Sequence, residues 1–281
     1  MTPTLGAWLG SARKRLAATD EHVSALHALV RVVLSQPAAW QISHPDHALT
    51  SSQLEKLDAL LARLIGGEPL AYIAGTQAFY GRDFYVNPSV LIPRPETELL
   101  VDFACKAARQ IPSPLLIADV GTGSGCIAVS LAKEIGNAQI IASDVSYHAL
   151  HAASRNTTLH GVKGRVRLLQ CNLLDAVNAR FDIICANLPY IPHNTMADLA
   201  VLRHEPELAL DGGPDGLRLI QPLLVDLARI CKSRCIVLFE IEETLGEAFL
   251  SLSRSLYPQA SIKIEYDLAG KERVGIIQFK S

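Results

Sequence analysis

The chain has 281 residues, which suits one large domain or two modest ones. Its formal net charge is −2, with 49% hydrophobic and 19% charged residues, so it carries no global basic field for duplex DNA or an anionic membrane. No apolar run is long enough to span a bilayer, and Met1-Thr2-Pro3 lacks the basic-then-apolar layout of a signal peptide. We therefore expect a soluble cytoplasmic protein with no membrane partner and no direct contact with nucleic acid.

Residues 1–75 are predicted to form a small helical bundle. The clearest helix follows Ser52 and Glu55, which have capping-box spacing. Its apolar stripe comprises Leu54, Leu57, Leu61 and Leu64, and Gly66-Gly67 ends it. An earlier helix is expected from Glu21 to Leu34, ending before Pro37. We expect this domain to recognise a substrate rather than to carry chemistry.

Residues 76–95 read as an extended linker that contains a short hairpin. Glycine and proline punctuate its apolar positions at Gly81, Asn87-Pro88 and Pro93. A helix is expected to start near Pro95, because proline suits a first helical turn and Glu96 favours the positive end of the helix dipole.

Residues 96–281 are predicted to form an α/β domain. Strand-like runs separated mostly by helix-length segments indicate a parallel, doubly wound sheet; they lie at Leu115–Val120, Gln139–Ser143, Val166–Gln170, Phe181–Ala186 and Cys235–Ile241. Ser261–Asp267 and Val274–Lys280 alternate polar and apolar residues across a short link, so this last pair should be antiparallel. Seven strands with an antiparallel last pair resemble the common Rossmann-like sheet of methyltransferases rather than a dehydrogenase sheet.

The six cysteines are expected to be reduced thiols, because no Cys-x-x-Cys pair exists and most of them lie in or beside apolar elements; they are Cys105, Cys126, Cys171, Cys185, Cys231 and Cys235. No metal site is expected, since the loose pair His44 and His47 has no second ligand pair nearby in sequence.

A glycine-rich turn follows the first parallel strand, at Asp119-Val-Gly-Thr-Gly-Ser-Gly125. Glycines there let the backbone approach a ligand, and the next helix presents its N-terminal amides. Asp144 ends the second strand, where a carboxylate can accept hydrogen bonds from two ribose hydroxyls. We expect Asp119, Gly121, Thr122, Gly123, Ser124, Gly125 and Asp144 to bind S-adenosylmethionine. The alternative is NAD, but its fingerprint is G-x-G-x-x-G and this turn reads G-x-G-x-G.

Asn172 and Leu173 follow the third parallel strand, whose end should lie beside the adenine of such a cofactor. The amide could bond to ring edges and the leucine could cover a ring face. An ordinary polar loop is an equally good interpretation of these two residues.

The segment Asn187-Leu188-Pro189-Tyr190 leaves the fourth strand and is predicted to hold the methyl acceptor. An amide nitrogen is a poor nucleophile, and two acceptors that hold its N–H groups can aim its lone pair at a methyl carbon. The Asn187 side-chain oxygen and the Leu188 carbonyl are expected to do this, with Pro189 stiffening the loop and Tyr190 closing over a planar acceptor. The alternative is that Asn-x-Pro only ends a strand.

The chain resembles the HemK-type protein-glutamine N-methyltransferases, which modify the Gly-Gly-Gln loop of peptide release factors. The resemblance covers nearly the whole chain and rests on the glycine turn, the Asn187–Tyr190 loop and the following blocks: Gly67–Gly75, Val90–Glu98, Leu208–Gly213, Asp215–Leu217, Asp267–Gly270 and Arg273-Val274. The Pro-Arg-Pro-Glu-Thr-Glu part of the second block is specific to this family. Its Arg94 fits a structural role between the domains as well as a contact with substrate.

The resemblance implies that class I release factors are the substrate, that residues 121–125, Asp144, Leu173 and Asn187 bind the cofactor, and that residues 187–190 hold the glutamine. Leu188 stands where the family usually has proline, and Asn172 where it often has aspartate. Three alternatives remain open: a ribosomal-protein glutamine methyltransferase, a DNA adenine or cytosine amine methyltransferase that flips its base, and a cofactor-binding protein that has lost catalysis.

Overall fold

The structure is a computed structural model that describes residues 3–17, 23–196 and 204–280. The chain divides into two compact units, Met1–Thr76 and Gln77–Ser281.

The first unit is helical. Its helices are α1 (Leu5–Leu16), α2 (Ser24–Leu34), α3 (Ala38–Ser43), α4 (Ser51–Ile65) and α5 (Leu70–Ala74). The predicted end of the second helix at Leu34 is confirmed, and Ser35 leaves it in the left-handed region with φ 56°. The predicted start at Glu21 lies outside the described residues. Buried leucines from α1, α2 and α4 form one apolar core, which includes Leu5, Leu26 and Leu57.

The capping box of α4 differs from the prediction. Thr50, not Ser52, caps the helix: its hydroxyl accepts from the Gln53 backbone, and the Gln53 side chain accepts from the Thr50 backbone. Two capping-box patterns overlap in this sequence. The earlier one prevails because the residue before it, Leu49, is fully buried in the helical core, which ties the chain down at that point.

The second unit begins with a hairpin of β1 (Thr76–Phe79) and β2 (Arg82–Tyr85). Phe79 and Phe84 anchor it, because both are buried in the same apolar cluster as α6 and the sheet. A single 3₁₀ turn, Pro95–Thr97, then leads into α6 (Glu98–Ala108), as the proline predicted.

Strands and helices alternate in the rest of this unit. The strands are β3 (Leu115–Val120), β4 (Ala138–Asp144), β5 (Val166–Gln170), β6 (Phe181–Ala186), β7 (Cys231–Glu240), β8 (Ser261–Tyr266) and β9 (Glu272–Gln278). The helices are α7 (Cys126–Glu134), α8 (Tyr147–Leu159), α9 (His193–Met196), α10 (Ile220–Ile230) and α11 (Gly246–Leu256).

The seven strands form one sheet in the order β5-β4-β3-β6-β7-β9-β8. Pairs among the first five are parallel, and β9 pairs antiparallel with both β7 and β8, so the predicted sheet is confirmed. β6 is buried at every position, as expected for a parallel strand covered on both faces. The chain order reverses between β3 and β6. Ligands of open α/β sheets bind outside the carboxyl ends of strands at such a switch point.

The six cysteine thiols are free, and Cys126, Cys185, Cys231 and Cys235 are buried. Within the described ranges, no helix combines the length and apolar composition that a membrane crossing needs.

Candidate functional site

A cavity opens at the carboxyl ends of the central strands. It brings together most of the residues predicted for the two sites: Gly121, Thr122, Gly123, Ser124, Asp144, Asn172, Leu173, Asn187, Leu188 and Pro189 all line it. Asp119, Gly125 and Tyr190 do not line it. The remaining wall is largely apolar and includes Val90, Leu91 and Val145.

The glycine turn after β3 requires a left-handed backbone. Gly121, Gly123 and Gly125 have φ values of 74°, 54° and 80°. A Cβ on Gly121 would lie 3.2 Å from the Leu188 side chain and 3.3 Å from the Asn187 carbonyl oxygen. The turn and the acceptor loop after β6 are therefore in close contact, and glycine at 121 is what lets them approach.

Asp119 lies beneath this turn rather than in the cavity. Its Oδ2 accepts from the Thr122 hydroxyl at 2.6 Å and from the Ala128 backbone at 3.0 Å. The residue is fully buried, and desolvation raises the pKa of its carboxyl to about 7 despite these two donors. Asp119 thus joins the glycine turn to the first turn of α7.

Asp144 ends β4 with its carboxylate on the cavity wall. Oδ2 accepts from the Gly123 backbone at 2.9 Å and Oδ1 from the Ser146 backbone at 2.8 Å. Burial raises the pKa of this carboxyl, and the backbone donors oppose that rise. Each oxygen retains further lone-pair capacity, so the carboxylate is fixed in orientation and still able to accept from ligand hydroxyls.

Asn172 and Leu173 follow β5, and both line the cavity. From the sequence alone, an ordinary polar loop is an equally good interpretation of these two residues. Leu173 has φ 50°, an uncommon conformation for a residue with a branched side chain. Such local strain clusters at binding sites because the surrounding structure holds it in place. Val145 also lines the cavity, and together with Leu173 it contributes apolar surface suited to a flat ring.

The Asn187 side chain is fixed by a hydrogen bond to Thr97. Its Nδ2 donates to the Thr97 hydroxyl oxygen at 3.2 Å. This leaves the side-chain oxygen as the acceptor that the group can present elsewhere. Leu188 is 3% exposed and fills the space beside the glycine turn, so the position remains packed with leucine.

Tyr190 is not among the residues that line the cavity. Its hydroxyl donates to Oε1 of Glu240 at 3.2 Å, and burial together with the Glu240 charge raises the pKa of the phenol. Glu240 is 2% exposed at the end of β7. Burial raises the pKa of its carboxyl, whereas hydrogen bonds from Thr97 and Tyr190 and the charge of Arg273 oppose the rise.

The sequence analysis gave no role to three residues that contact segments of the site: Thr97, Glu205 and Glu240. Arg94 forms an ion pair with Glu205, whose other oxygen accepts from the Ile92 backbone at 3.0 Å. Glu205 is 2% exposed on its side chain, so this contact fixes the segment before Pro206. The block Pro93–Glu98 carried the signal for Arg94 and Thr97, but their partners lie far away in the chain and no local pattern indicates them.

Within residues 3–17, 23–196 and 204–280, no group of three His, Cys, Asp or Glu side chains is arranged to hold a metal ion. The cavity instead combines an oriented carboxylate, close backbone amides and apolar walls at one end with an oriented carboxamide at the other. These features suit a nucleoside-like cofactor and a planar amide or amine acceptor.

Comparison with known proteins gives consistent matches. The Methyltransferase small domain family matches residues 97–204, and the PrmC N-terminal domain family matches residues 7–75. The release factor glutamine methyltransferase of Moorella thermoacetica is 36% identical over 276 residues, which cover 96% of both chains. The enzyme of the same name from Bacillus subtilis is 40% identical over 215 residues, 74% of both chains. A methyltransferase structure from Pyrococcus furiosus matches with a TM-score of 0.53 at 18% identity, over 78% of this chain and 97% of that one, and so shares the fold.

Proposed function

The chain belongs to the release factor glutamine methyltransferase family, and from that premise we propose that it methylates the side-chain amide nitrogen of the Gly-Gly-Gln glutamine in class I release factors. S-adenosylmethionine is the cofactor of this family. One observation carries the proposal: the glycine turn, Asp144 and the Asn187 loop line a single cavity. A cytoplasmic location follows from this substrate class.

The residues of the cavity fit S-adenosylmethionine. A Cβ added to Gly123 would meet no atom closer than 4.0 Å, so the backbone at this position borders open space that a ligand can fill. Asp144 is oriented to accept from ribose hydroxyls, and Leu173 and Val145 offer apolar cover for adenine.

When bound, S-adenosylmethionine supplies an electrophilic methyl group. The chain's own contribution is to bind and orient the amide. The Asn187 side-chain oxygen and the Leu188 carbonyl oxygen accept the two N–H bonds of the glutamine amide, which directs the nitrogen lone pair at the methyl carbon. Positive charge grows on nitrogen during attack, and two fixed oxygen dipoles stabilise it. The released proton passes to water, since neither oxygen is basic enough to keep it.

We assign the cofactor to Gly121, Thr122, Gly123, Ser124, Asp144, Asn172, Leu173 and Asn187, and the glutamine to Asn187, Leu188 and Pro189. Asp119 and Gly125 support the cofactor turn indirectly, because Asp119 is buried beneath it and a Cβ on Gly125 would lie 3.1 Å from Ala153. Tyr190 supports the acceptor loop through Glu240.

The N-terminal unit is assigned to recognition of the protein substrate. It exposes the apolar side chain Ile42 at 71%. Changing Ile42→Asp should raise KM for the release factor without changing kcat. Leu268→Asp is the matched control, since Leu268 is fully exposed in the other unit. Equal KM values for the two variants would show that Ile42 takes no part in recognition of the release factor.

The proposed activity is tested by incubating the purified protein with labelled S-adenosylmethionine and one substrate at a time. Label should enter the release factor and be lost with Asn187→Ala. Label only in a ribosomal protein would favour that substrate class. Label in duplex DNA would favour the amine methyltransferase alternative, which the net charge of −2 disfavours. No transfer to any glutamine substrate would favour a binding protein without catalysis.

A further inference from the structure

Two nearly buried side chains stand behind Asn187 and have no role in the reaction described above. Thr97 is the last residue of the 3₁₀ turn before α6, and Glu240 is the last residue of β7; each is 2% exposed. The two come from separate parts of the chain and meet at the acceptor loop. Their contacts link Asn187 to a buried carboxylate.

The Thr97 hydroxyl bonds to Asn187 rather than capping its own helix. Thr97 occupies the N-cap position of α6, where a threonine side chain usually accepts from the first backbone amides, yet it makes no such bond. Its oxygen instead accepts from Asn187 Nδ2 at 3.2 Å. A hydroxyl has a single proton, and the Thr97 side chain is close enough to the Glu240 carboxylate to oppose the rise that burial causes in the pKa of that group.

The Glu240 carboxylate is suited to accept a hydrogen bond from that hydroxyl. Its Oε1 accepts from the Tyr190 hydroxyl at 3.2 Å, whereas its buried Oε2 has no hydrogen-bond partner within the described part of the chain and so retains its capacity to accept. The charge of Arg273 from β9 favours the ionised carboxylate, and Glu96 opposes it. An ionised carboxylate can only accept hydrogen bonds, so the hydroxyl proton of Thr97 is expected to point toward Glu240.

A flipped Asn187 carboxamide would place its oxygen against the Thr97 oxygen, whose proton is attracted toward the nearby Glu240 carboxylate. Two acceptors would then face each other, and a buried hydrogen bond would be lost. The observed orientation has Nδ2 on Thr97 and therefore keeps the oxygen for the substrate. We infer that Thr97 and Glu240 are positioning residues that fix the Asn187 carboxamide with its oxygen as the acceptor of the substrate N–H. This inference rests on the proposed function for the identity of that substrate.

The experiment compares Thr97→Val, which keeps the shape and removes the hydroxyl, with Thr97→Ser, which keeps the hydroxyl. Methylation of a class I release factor is measured at saturating S-adenosylmethionine. Supporting hydrogen bonds behind the ligands of metal sites change activity by about 10- to 100-fold, and we expect a kcat loss of this size for Thr97→Val. KM for S-adenosylmethionine should stay near the wild-type value, and Thr97→Ser should restore kcat.

Glu240→Gln is the second variant. Its amide can donate to Thr97, which frees the hydroxyl proton to point at Asn187 and removes the penalty on the flipped carboxamide. Its kcat should therefore fall as that of Thr97→Val does. Thermal melts establish that each variant is folded. A wild-type kcat in folded Thr97→Val, or a Thr97→Ser variant as slow as Thr97→Val, would overturn the inference.

The side-chain amide signals of Asn187 give a readout that needs no turnover. In protein labelled with ¹⁵N-asparagine, the Asn187 NH₂ resonances should shift in Thr97→Val and return in Thr97→Ser. Unchanged signals in Thr97→Val would contradict the hydrogen bond itself. A wild-type protein that methylates no glutamine, with signals that do depend on Thr97, would refute the proposed function while the positioning contact stands.

Discussion

The buried carboxyl of Asp119 should make the stability of the protein fall as pH rises. Its pKa changes from the ordinary 3.8 to about 7 on folding because burial disfavours the charged form. Between these two values the unfolded chain has released the proton and the folded chain has kept it, so raising the pH favours unfolding. At 1.36 kcal/mol per pH unit, the difference amounts to about 4 kcal/mol once the pH exceeds 7.

Asp119→Asn is a close mimic of the protonated form. Thr122 and Ala128 both donate to one oxygen of Asp119, and the asparagine oxygen can accept from both. The other oxygen has no partner within the described residues, so the new NH₂ group takes a position that was already unsatisfied. The variant should therefore match the wild type in acid and become more stable than it in base.

The assay is denaturant unfolding of both proteins between pH 5 and pH 8, without cofactor. All other titrating groups are shared, so the difference in the free energy of unfolding isolates Asp119. We expect that difference to be smallest at pH 5 and to grow with pH toward about 4 kcal/mol in favour of Asp119→Asn. A difference that is constant with pH, or one that turns in favour of the wild type as pH rises, would refute the reasoning.

The other predictions concern the turn and the two ends of the cavity. Gly123→Ala should cost about 1–2 kcal/mol of stability for its left-handed backbone alone, because the new Cβ meets nothing closer than 4.0 Å. Gly121→Ala should cost more in the same denaturant titration, since its Cβ would press on the acceptor loop; equal losses would contradict that contact. Asn187→Ala should lose roughly 100- to 1000-fold in kcat while cofactor binding, measured by calorimetry, is largely kept. Asp144→Ala should do the reverse, weakening cofactor affinity by about 10- to 100-fold with kcat preserved at saturation. A normal rate in Asn187→Ala would contradict the acceptor role of Asn187, and normal cofactor affinity in Asp144→Ala would contradict the cofactor-binding role of Asp144.

The sequence predicts the central strands well because β3 and β6 are buried on both faces and therefore have apolar sequences. β3, β5 and β6 have the predicted bounds. β7 begins earlier than predicted, at Cys231, because its next three residues are exposed and carry no apolar pattern. A register shift between β6 and β7 accompanies that irregular start. The polar ends of β4 and β6 were predictable for the same reason: a charged or amide residue directly after a buried run marks the edge where a ligand can bind.

The support behind the site could not be predicted, because it depends on contacts between distant residues. Thr97 contacts Asn187 and Glu205 contacts Arg94, and no local pattern pairs residues that lie so far apart in the chain. The fate of Tyr190 shows the same limit. The contact of its hydroxyl with Glu240 depends on the end of β7, so no local pattern indicates it, and the prediction that its ring covers the acceptor stays a prediction.

The central claim is that the carboxamide of Asn187 and the Leu188 carbonyl present a glutamine amide to the cofactor. The most direct measurement is mass spectrometry of the Gly-Gly-Gln peptide from a release factor incubated with S-adenosylmethionine and either the wild-type protein or Asn187→Ala. One added methyl group on the glutamine side chain with the wild type, and none with the variant, is the predicted result. An unmodified glutamine with the wild type, or equal methylation by both proteins, would contradict the account.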